Sequence, residues 1–545
     1  MQRNRLGVVT GGTFNAGLTV RLDPGINVEA LRIGTFCVVE GEAYRYFSLI
    51  QDLQLHATDP GLMASPPRDL SPFLRRTLAG TSTYAVAEVK PMLMMPKYGD
   101  TEIVDPAMAE GPKAVRTIPM HFAELAEATS FDFADVFGED DGGSYFALGS
   151  PLAMDGLDVC VDLRRIVERS NGVFGSTGTG KSFLTRLLLS GIIARNAAVN
   201  LIFDMHGEYA FSVQSEAGTW VKGLKELFGS KVRVYGLDTK TKGPDSHLVI
   251  GLNQIEPADI LLLSDELNLS PTTETNLIIL SRALGDEWLR TFLAMEPVAL
   301  QTFCEERGAH LGSLEALQRK LVKLRQPYVL ESVSFNVIDE MLQYLERGKH
   351  VIFQFGRFSR PLDYMLVANI VTRRIREKYR ERVEGWQASH NEADRPKPLV
   401  ITIEEAHKFL NPEMARQTIF GTIARELRKY FVTLLIVDQR PSGIDPEVLS
   451  QIGTRISGKL TDERDLEAVL TGVGNRNAIR AGLASLDTRN EIMIFGHAVR
   501  MPMQLRTRRY DEAFYQAVSD RSVPPATATT AGGHSLDDLV SDLWG

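Results

Sequence analysis

The feature that most constrains this chain is the run GSTGTGKS at residues 175–182. It matches the pattern G-x-x-x-x-G-K-[ST] at every fixed position. A predicted strand leads into it, and a predicted helix (181–194) and a second strand (199–204) follow, which indicates a βαβ unit. Glycines in such a loop let consecutive amides point at phosphates, and the helix adds its positive end. The run therefore predicts a nucleotide-binding loop rather than a structural glycine turn.

Each residue of this loop has an expected part in holding a nucleotide. The Lys181 ammonium can reach the β and γ oxygens, and the Ser182 hydroxyl can ligate Mg²⁺. The predicted nucleotide-binding residues are Gly175, Ser176, Thr177, Gly178, Thr179, Gly180, Lys181, Ser182 and Phe183.

An acidic pair at the end of a second apolar strand would complete such a site. The run LVITIEE at residues 399–405 supplies it. We expect Glu404 to bind the metal, through water, and Glu405 to orient and deprotonate the attacking water. Glu404 stands where aspartate is usual, which leaves its coordination open. The alternative is a solvated acidic face, which the preceding buried-type strand disfavours.

Two further polar residues end predicted strands that meet at the same sheet edge. Asp204 opens the run DMHGEY and could assist the metal or the water, or could simply form the turn before Gly207. Gln439 follows the strand predicted at residues 432–438 and could sense the γ-phosphate, or could start a helix.

Phosphoryl transfer in P-loop enzymes commonly uses an arginine from a neighbouring subunit. The segment ARELRKYF offers candidates, with others close behind it. They are Arg425, Arg428, Lys429, Arg440 and Arg455. The alternative for each is a surface or interface charge, and Arg425 is the residue we select as the trans arginine.

The 545 residues predict about three to four structural units. Short β-prone runs separated by Gly, Pro and Asn favour a small barrel at the start, and leucines at helical spacing favour an all-α insertion later. The expected organisation is an N-terminal β-barrel (1–100), a connection (101–170), an α/β core in two parts (171–255 and 349–515) and a helical insertion between those parts (256–348). A flexible tail (516–545) follows. Within this tail, residues 536–544 are either a frayed end or a docking helix.

Composition excludes several function classes. The net charge of −9 argues against a globally basic coat for nucleic acid, although a local basic channel stays possible. Three isolated cysteines, Cys37, Cys160 and Cys304, indicate neither a disulfide framework nor a zinc site. With no apolar run of spanning length, we expect a cytoplasmic protein without membrane association. The basic run at residues 373–382 contains interleaved glutamates and is typical of a solvated, salt-bridged helix face.

These motifs together resemble the HerA group of the HerA/FtsK ATPases. The resemblance covers nearly the whole chain, through the opening β segment, GSTGTGKS, DMHGEY, ITIEEAH and the long run ARELRKYFVTLLIVDQRPSGIDPEVLSQIGTRI. It implies a RecA-like core, a HAS-type N-terminal barrel and ATP with Mg²⁺ as cofactors. By position it implies that Glu405 is the catalytic glutamate, Asp204 an extra acidic residue and Arg425 the trans arginine. His407 follows the family pattern, although packing at a helix start is the interpretation we favour for it.

The resemblance also implies a function. We expect a homo-hexameric ring that translocates along or unwinds double-stranded DNA, and that acts with a NurA-like nuclease in DNA repair or with another effector in antiviral defence. The partner would dock on the barrel. The alternative is an ATP-gated hexameric scaffold that assembles and switches a nuclease or NAD-consuming effector with little unwinding of its own.

Overall fold

The structure is a computed structural model that describes residues 3–59, 61, 64, 71, 77–78, 81–97, 111–152, 154, 156–214, 218–334, 337–358, 360–415, 419–474, 476–487 and 489–520. Within this part of the chain, no helix has the length and apolar character needed to cross a membrane. The docking helix considered at residues 536–544 lies outside the described residues.

A closed antiparallel barrel forms from the alternating β-prone runs at the start of the chain. Its strands are β1 (Arg5–Thr13), β2 (Gly17–Leu22), β3 (Phe36–Glu40), β4 (Tyr44–Ala57), β5 (Thr83–Pro96), β6 (Lys113–Ala114) and β7 (Glu124–Glu127). They pair in the order β2-β1-β7-β3-β4-β5, and β2 pairs with β5 to close the ring, while β6 adds to β5 outside it. Alternate side chains such as Val20, Val39 and Val89 fill the apolar interior.

The strand β7 comes from a segment for which the sequence predicted only a connection. It inserts between β1 and β3, where Leu125 pairs with Gly7 on one side and Val39 on the other. Four residues give too little period-two signal to be recognised alone. The barrel therefore takes one of its strands from beyond residue 100.

A twelve-stranded sheet, as counted over the described residues, forms the core. Its strands are β8 (Tyr145–Pro151), β9 (Val159–Asp162), β10 (Asn171–Phe174), β11 (Val199–Asp204), β14 (Val232–Gly236), β15 (Ser246–His247), β18 (His350–Gln354), β19 (Leu399–Glu404), β20 (Val432–Asp438), β21 (Thr454–Ser457), β22 (Glu491–Gly496) and β23 (Met503–Thr507). Two short pairs lie apart from it, β12 (Val213–Gln214) with β13 (Trp220–Val221) and β16 (Ile250–Gly251) with β17 (Val329–Leu330).

The strand order of the core sheet is β15-β14-β18-β11-β19-β20-β10-β21-β22-β23-β8-β9. Pairing is parallel from β15 to β21 and antiparallel from β21 to β9. The central parallel strands are buried on both faces, as their continuous apolar runs predict. Their carboxyl ends meet at one edge of the sheet, where the predicted site residues lie.

Helices cover both faces of the sheet and build the insertion. They are α1 (Ser130–Phe137), α2 (Leu163–Glu168), α3 (Lys181–Ala194), α4 (Leu224–Phe228), α5 (Pro257–Leu261), α6 (Ser264–Leu267), α7 (Thr273–Leu284), α8 (Trp288–Ala294), α9 (Pro297–Arg307), α10 (Leu311–Leu321), α11 (Val337–Glu346), α12 (Pro361–Ser389), α13 (His407–Leu410), α14 (Ile419–Glu426), α15 (Pro446–Gln451), α16 (Glu463–Val469), α17 (Arg476–Ala484) and α18 (Glu512–Asp520). In the insertion, leucines at helical spacing such as Leu280, Leu289 and Leu314 are buried together. The predicted fold class is confirmed: an α/β P-loop core with an N-terminal β-barrel and a helical insertion.

The barrel and the core share one apolar layer. The barrel residue Phe36 stacks edge-on against Phe133 of α1 at 4.7 Å between ring centroids, with Phe47 and Phe137 alongside. These rings belong to the same buried cluster as residues of the core sheet. Nearby, the fully buried Asp132 carboxylate accepts hydrogen bonds from two barrel arginines. The barrel is therefore fixed to the core by packing and by a buried ionic contact.

The shared apolar layer predicts a large effect of Phe36→Ala. Removing a ring that is 2% exposed should cost about 3–5 kcal/mol of stability, because the cavity is bounded by both units. The midpoint of urea unfolding measures the loss. Phe14→Ala is the matched control, since Phe14 is 51% exposed on the β1–β2 hairpin. Equal midpoints for the two variants would contradict the shared layer.

Candidate nucleotide site

The loop between β10 and α3 has a backbone that only glycine adopts without strain. Gly175, Gly178 and Gly180 have φ values of 150°, 80° and 83°. A Cβ atom on Gly175 would also lie 2.5 Å from the Thr179 hydroxyl. Gly180 is the N-cap of α3 and has no side chain to accept hydrogen bonds from the first amides of the helix. The loop thus leaves amides and a helix N-terminus available for phosphate.

Lys181 lies at the start of α3, directly after the glycines. Its Nζ donates a hydrogen bond of 2.9 Å to the Ser176 carbonyl oxygen, and the Thr179 hydroxyl donates to the same oxygen at 2.8 Å. Burial lowers the pKa of Lys181, and the nearby carboxylates, Glu405 first, oppose that shift. Ser182 follows in the first turn, and the Phe183 ring packs edge-on against a tyrosine at 5.5 Å.

Glu404 ends β19 and is buried, with 6% of its surface exposed. Its Oε1 accepts a hydrogen bond of 3.0 Å from the Tyr209 hydroxyl, while its Oε2 is buried without a partner among the described residues. Burial, together with Asp204 and Glu208, raises the pKa of Glu404 to about 8. An unpartnered buried carboxylate oxygen fits a cation ligand, because a cation would offset the cost of burying the charge.

Glu405 turns away from the strand that precedes it. Its φ of 50° places a non-glycine residue in the left-handed region, and such strain commonly marks a functional position. Its side chain is half-buried. Gln439, the first residue after β20, donates from Nε2 to Glu405 Oε1 at 2.9 Å and accepts at Oε1 from the Thr177 hydroxyl at 2.7 Å. Gln439 therefore links the phosphate loop directly to the acidic pair.

His407 approaches the other oxygen of Glu405. Its Nε2 lies 3.7 Å from Glu405 Oε2, and its Nδ1 lies 3.0 Å from Oδ2 of the buried Asp438. The backbone N–H of His407 also donates to Asp438 at 2.7 Å. The hydrogen bond to Asp438 raises the pKa of His407 above its usual range. His407 thus begins α13, as expected, and also faces the candidate base.

Asp204 lies at the end of β11 and is fully buried, and its carboxylate is occupied by the loop that follows. It accepts hydrogen bonds from the amides of Glu208, Tyr209 and Ala210 at 2.7–3.3 Å and from Gln354 Nε2 at 3.3 Å. Burial raises the pKa of Asp204, and these hydrogen bonds oppose the rise. Asp204 therefore fixes the conformation of the loop at residues 205–210, and this conformation places the Tyr209 hydroxyl against Glu404.

Two tyrosines in the site were not predicted from the sequence. Tyr209 lies inside DMHGEY, whose recognisable pattern is its acidic residues, and Tyr364 lies on α12 with no motif around it. The Tyr364 hydroxyl donates to the Glu404 carbonyl oxygen at 3.2 Å. Both rings are fully buried. Buried tyrosines normally need a partner for the hydroxyl, but only the folded chain reveals which one.

The arginine candidates have different surroundings. Arg425, on α14, donates from Nη2 to the Ala415 carbonyl at 2.7 Å and lies 3.9 Å from Glu447. Arg455 is buried in β21 and donates to the carbonyls of Val469 and Leu449, near the ends of α16 and α15. Burial lowers the pKa of Arg455 to about 10. Arg455 is thus a packing residue.

The remaining arginine candidates differ again. Arg440 is exposed, and the side chain of Arg428 lies outside the described part.

Comparison with known families agrees with this geometry. Residues 146–375 match the family described as the central domain of helicase HerA. The chain has a P-loop ATPase domain that is similar to the HerA group. The match includes the phosphate loop and Asp204, while β19 and β20, which supply Glu404, Glu405 and Gln439, lie beyond it.

Relatives extend the HerA resemblance along the chain. The "DNA double-strand break repair helicase HerA" of Pyrococcus furiosus is 24% identical over 426 residues, which cover 72% of this chain and 74% of the relative. The protein of that name from Sulfurisphaera tokodaii is 27% identical over 388 residues, 65% of this chain and 68% of the relative. VirB4 of Thermoanaerobacter pseudethanolicus, a solved structure, is 17% identical and covers 68% of this chain and 98% of its own, with a TM-score of 0.42. The predicted resemblance to the HerA group and the ATPase assignment are confirmed.

The His407–Asp438 contact predicts a pH-dependent contribution to stability. Because the folded state raises the pKa of His407, its contribution is present in full below the unfolded value of about 6.5 and is lost as pH rises through the folded value. His407→Gln should therefore cost about 1 kcal/mol at about pH 5.5 and less at about pH 9. Urea unfolding at both pH values measures this. His121→Gln, at an exposed barrel loop, is the control. An equal cost for His407→Gln at both pH values would show that the imidazolium contributes nothing.

Proposed function

We propose that the protein is a cytoplasmic, ring-forming, hexameric motor that uses ATP to translocate along or unwind double-stranded DNA. The observation that carries the proposal is the continuous contact from the phosphate loop through Gln439 to Glu405 within a HerA-type domain. Relatives matching over most of the chain carry the name of DNA double-strand break repair helicases, which supports DNA as the substrate.

Within this proposal the site residues divide the work of binding and hydrolysing ATP. Lys181 and the loop amides hold the phosphates of ATP, and Glu405 accepts the proton of the attacking water. Ser182 and Glu404 would hold Mg²⁺, which would supply positive charge to offset the charge of the phosphates. Gln439 orients Glu405 and senses the γ-phosphate. Asp204 acts on Glu404 through Tyr209.

P-loop enzymes that hydrolyse ATP at subunit interfaces commonly use an arginine from the neighbouring protomer. We assign that task to Arg425, whose half-buried guanidinium has, among the described residues, one carbonyl contact and one carboxylate at 3.9 Å. The barrel would dock a NurA-like nuclease for DNA repair or another effector for antiviral defence.

A second candidate function is an ATP-gated hexameric scaffold that switches a nuclease or NAD-consuming effector with little unwinding. The observation that favours it is the ion pairing along the basic face of α12. On α12, Arg373 pairs with the buried Asp259 at 2.9 Å, and Lys378 and Arg382 pair with glutamates. This face therefore offers little free charge to DNA.

Steady-state ATPase activity with and without linear double-stranded DNA, measured together with native mass, separates the two functions. The motor predicts a hexamer-sized species whose turnover rises on DNA addition. A hexamer that hydrolyses ATP at the same rate with and without DNA would contradict the motor and favour the scaffold.

The assignment of Glu405 predicts the effect of Glu405→Gln. Without the base, kcat should fall about 100-fold or more, while ATP binding persists, because the phosphate loop is unchanged. Single-turnover hydrolysis and equilibrium binding of a fluorescent ATP analogue measure the two quantities. Lys181→Ala should instead lose binding. The exposed Glu413→Gln is the matched control, and normal turnover by Glu405→Gln would place the base elsewhere.

A further inference from the structure

Two loops with basic side chains leave the sheet side by side at its carboxyl edge. They follow β14 and β18, whose last residues, Gly236 and Gln354, are paired. We call residues 237–243 and 355–358 the basic loop pair. It presents Lys240, Lys242 and Arg357, all of them exposed.

The basic loop pair is held in one shape by a buried carboxylate. Asp238 is 5% exposed, accepts a hydrogen bond of 3.0 Å from the Lys240 amide, and lies 3.4 Å from Arg357 Nε. Gly356 has a φ of 57°, and a Cβ there would lie 3.0 Å from the Asp238 Cβ. This close approach requires glycine. The lysines therefore project from a preorganised backbone, which lowers the entropy lost when a ligand binds.

The two lysines carry free charge. Neither Lys240 nor Lys242 lies within ion-pair distance of a carboxylate in the described part of the chain, and the nearby Asp245 is engaged by Lys225 at 2.9 Å. The basic face of α12 is different, because Arg373, Lys378 and Arg382 are each paired with a carboxylate. Lys240 and Lys242 therefore add unpaired positive charge to this edge of the sheet.

Hydrogen bonds join the basic loop pair to the nucleotide site. Gln354, which precedes the second loop, donates to Asp204, and Asp204 holds the amide of Tyr209. Tyr209 in turn donates to Glu404. Three residues, Gln354, Asp204 and Tyr209, thus connect the loop edge to the predicted metal ligand Glu404.

We propose that the basic loop pair binds the phosphate backbone of double-stranded DNA, with Lys240 and Lys242 as the contacting residues. The inference rests on the proposed motor function and locates its substrate surface. Two flexible ammonium groups on a fixed turn suit contacts to backbone phosphates, which carry no sequence information. Binding is therefore independent of sequence and dependent on salt.

The test is the double variant Lys240→Ala/Lys242→Ala, titrated against a fluorescein-labelled linear duplex by anisotropy. Its affinity should fall about tenfold, and the slope of log Kd against log salt should fall by about 1 for each lysine removed. The DNA concentration for half-maximal ATPase stimulation should rise in step. Two duplexes of unrelated sequence should give the same result.

Controls separate a lost contact from a change in total charge. Arg319→Ala/Lys323→Ala removes two exposed charges from the helical insertion and should bind duplex as the parent does. Lys240→Arg/Lys242→Arg keeps the charge and should retain affinity. Native mass and urea midpoint verify that each variant is folded.

The outcomes distinguish this proposal from the motor proposal. Parental affinity and salt slope in Lys240→Ala/Lys242→Ala would overturn the assignment of the surface while leaving a DNA motor intact. An equal loss of affinity in Arg319→Ala/Lys323→Ala would also overturn it, since net charge alone would then explain the effect. A parent protein that binds no duplex would contradict the motor itself.

Discussion

The nucleotide site depends on the register of three parallel strands. Phe174 at the end of β10 pairs with Asp438 at the end of β20, and Val437 pairs with Glu404 at the end of β19. This register brings the phosphate loop, Gln439 and the acidic pair to the same level. Because side chains alternate faces along a strand, a shift of one residue would bury Glu404 on the opposite face. The apolar runs that fix the register therefore also build the site.

Burying several charges at one sheet edge is costly, and the structure distributes that cost unevenly. For Asp204, hydrogen bonds from three backbone amides offset the free-energy cost of burying the carboxylate. For Asp438, hydrogen bonds from His407 and from the Arg440 amide do the same. Glu404 has a tyrosine hydroxyl on one oxygen and no described partner on the other. The unfavourable electrostatic energy is thus concentrated on Glu404, which is what the proposed role of this residue as a metal ligand would require.

The sequence predicted what is encoded locally. The phosphate loop, the strand ends and the positions of Glu405 and Gln439 follow from short patterns, and the structure brings them together. The strand β7, the contacts of Tyr209 and Tyr364 with Glu404, and the occupied carboxylate of Asp204 were not predictable. Each depends on partners about 40 to 200 residues away, or on a loop conformation, and neither leaves a periodic signal. Arg455 was misleading for the same reason, since its carbonyl partners appear only when helices pack.

An acidic chain can still present a surface to DNA, because electrostatic forces act locally in salt. The screening length is about 8 Å at physiological ionic strength, which is short compared with the diameter of a folded protein of 545 residues. A phosphate at the basic loop pair therefore responds to Lys240 and Lys242 far more than to the net charge of −9. The paired charges on α12 cancel within that distance. The positions of unpaired positive charges therefore determine where a nucleic acid binds. The loops that follow β14 and β18 carry two such charges, Lys240 and Lys242.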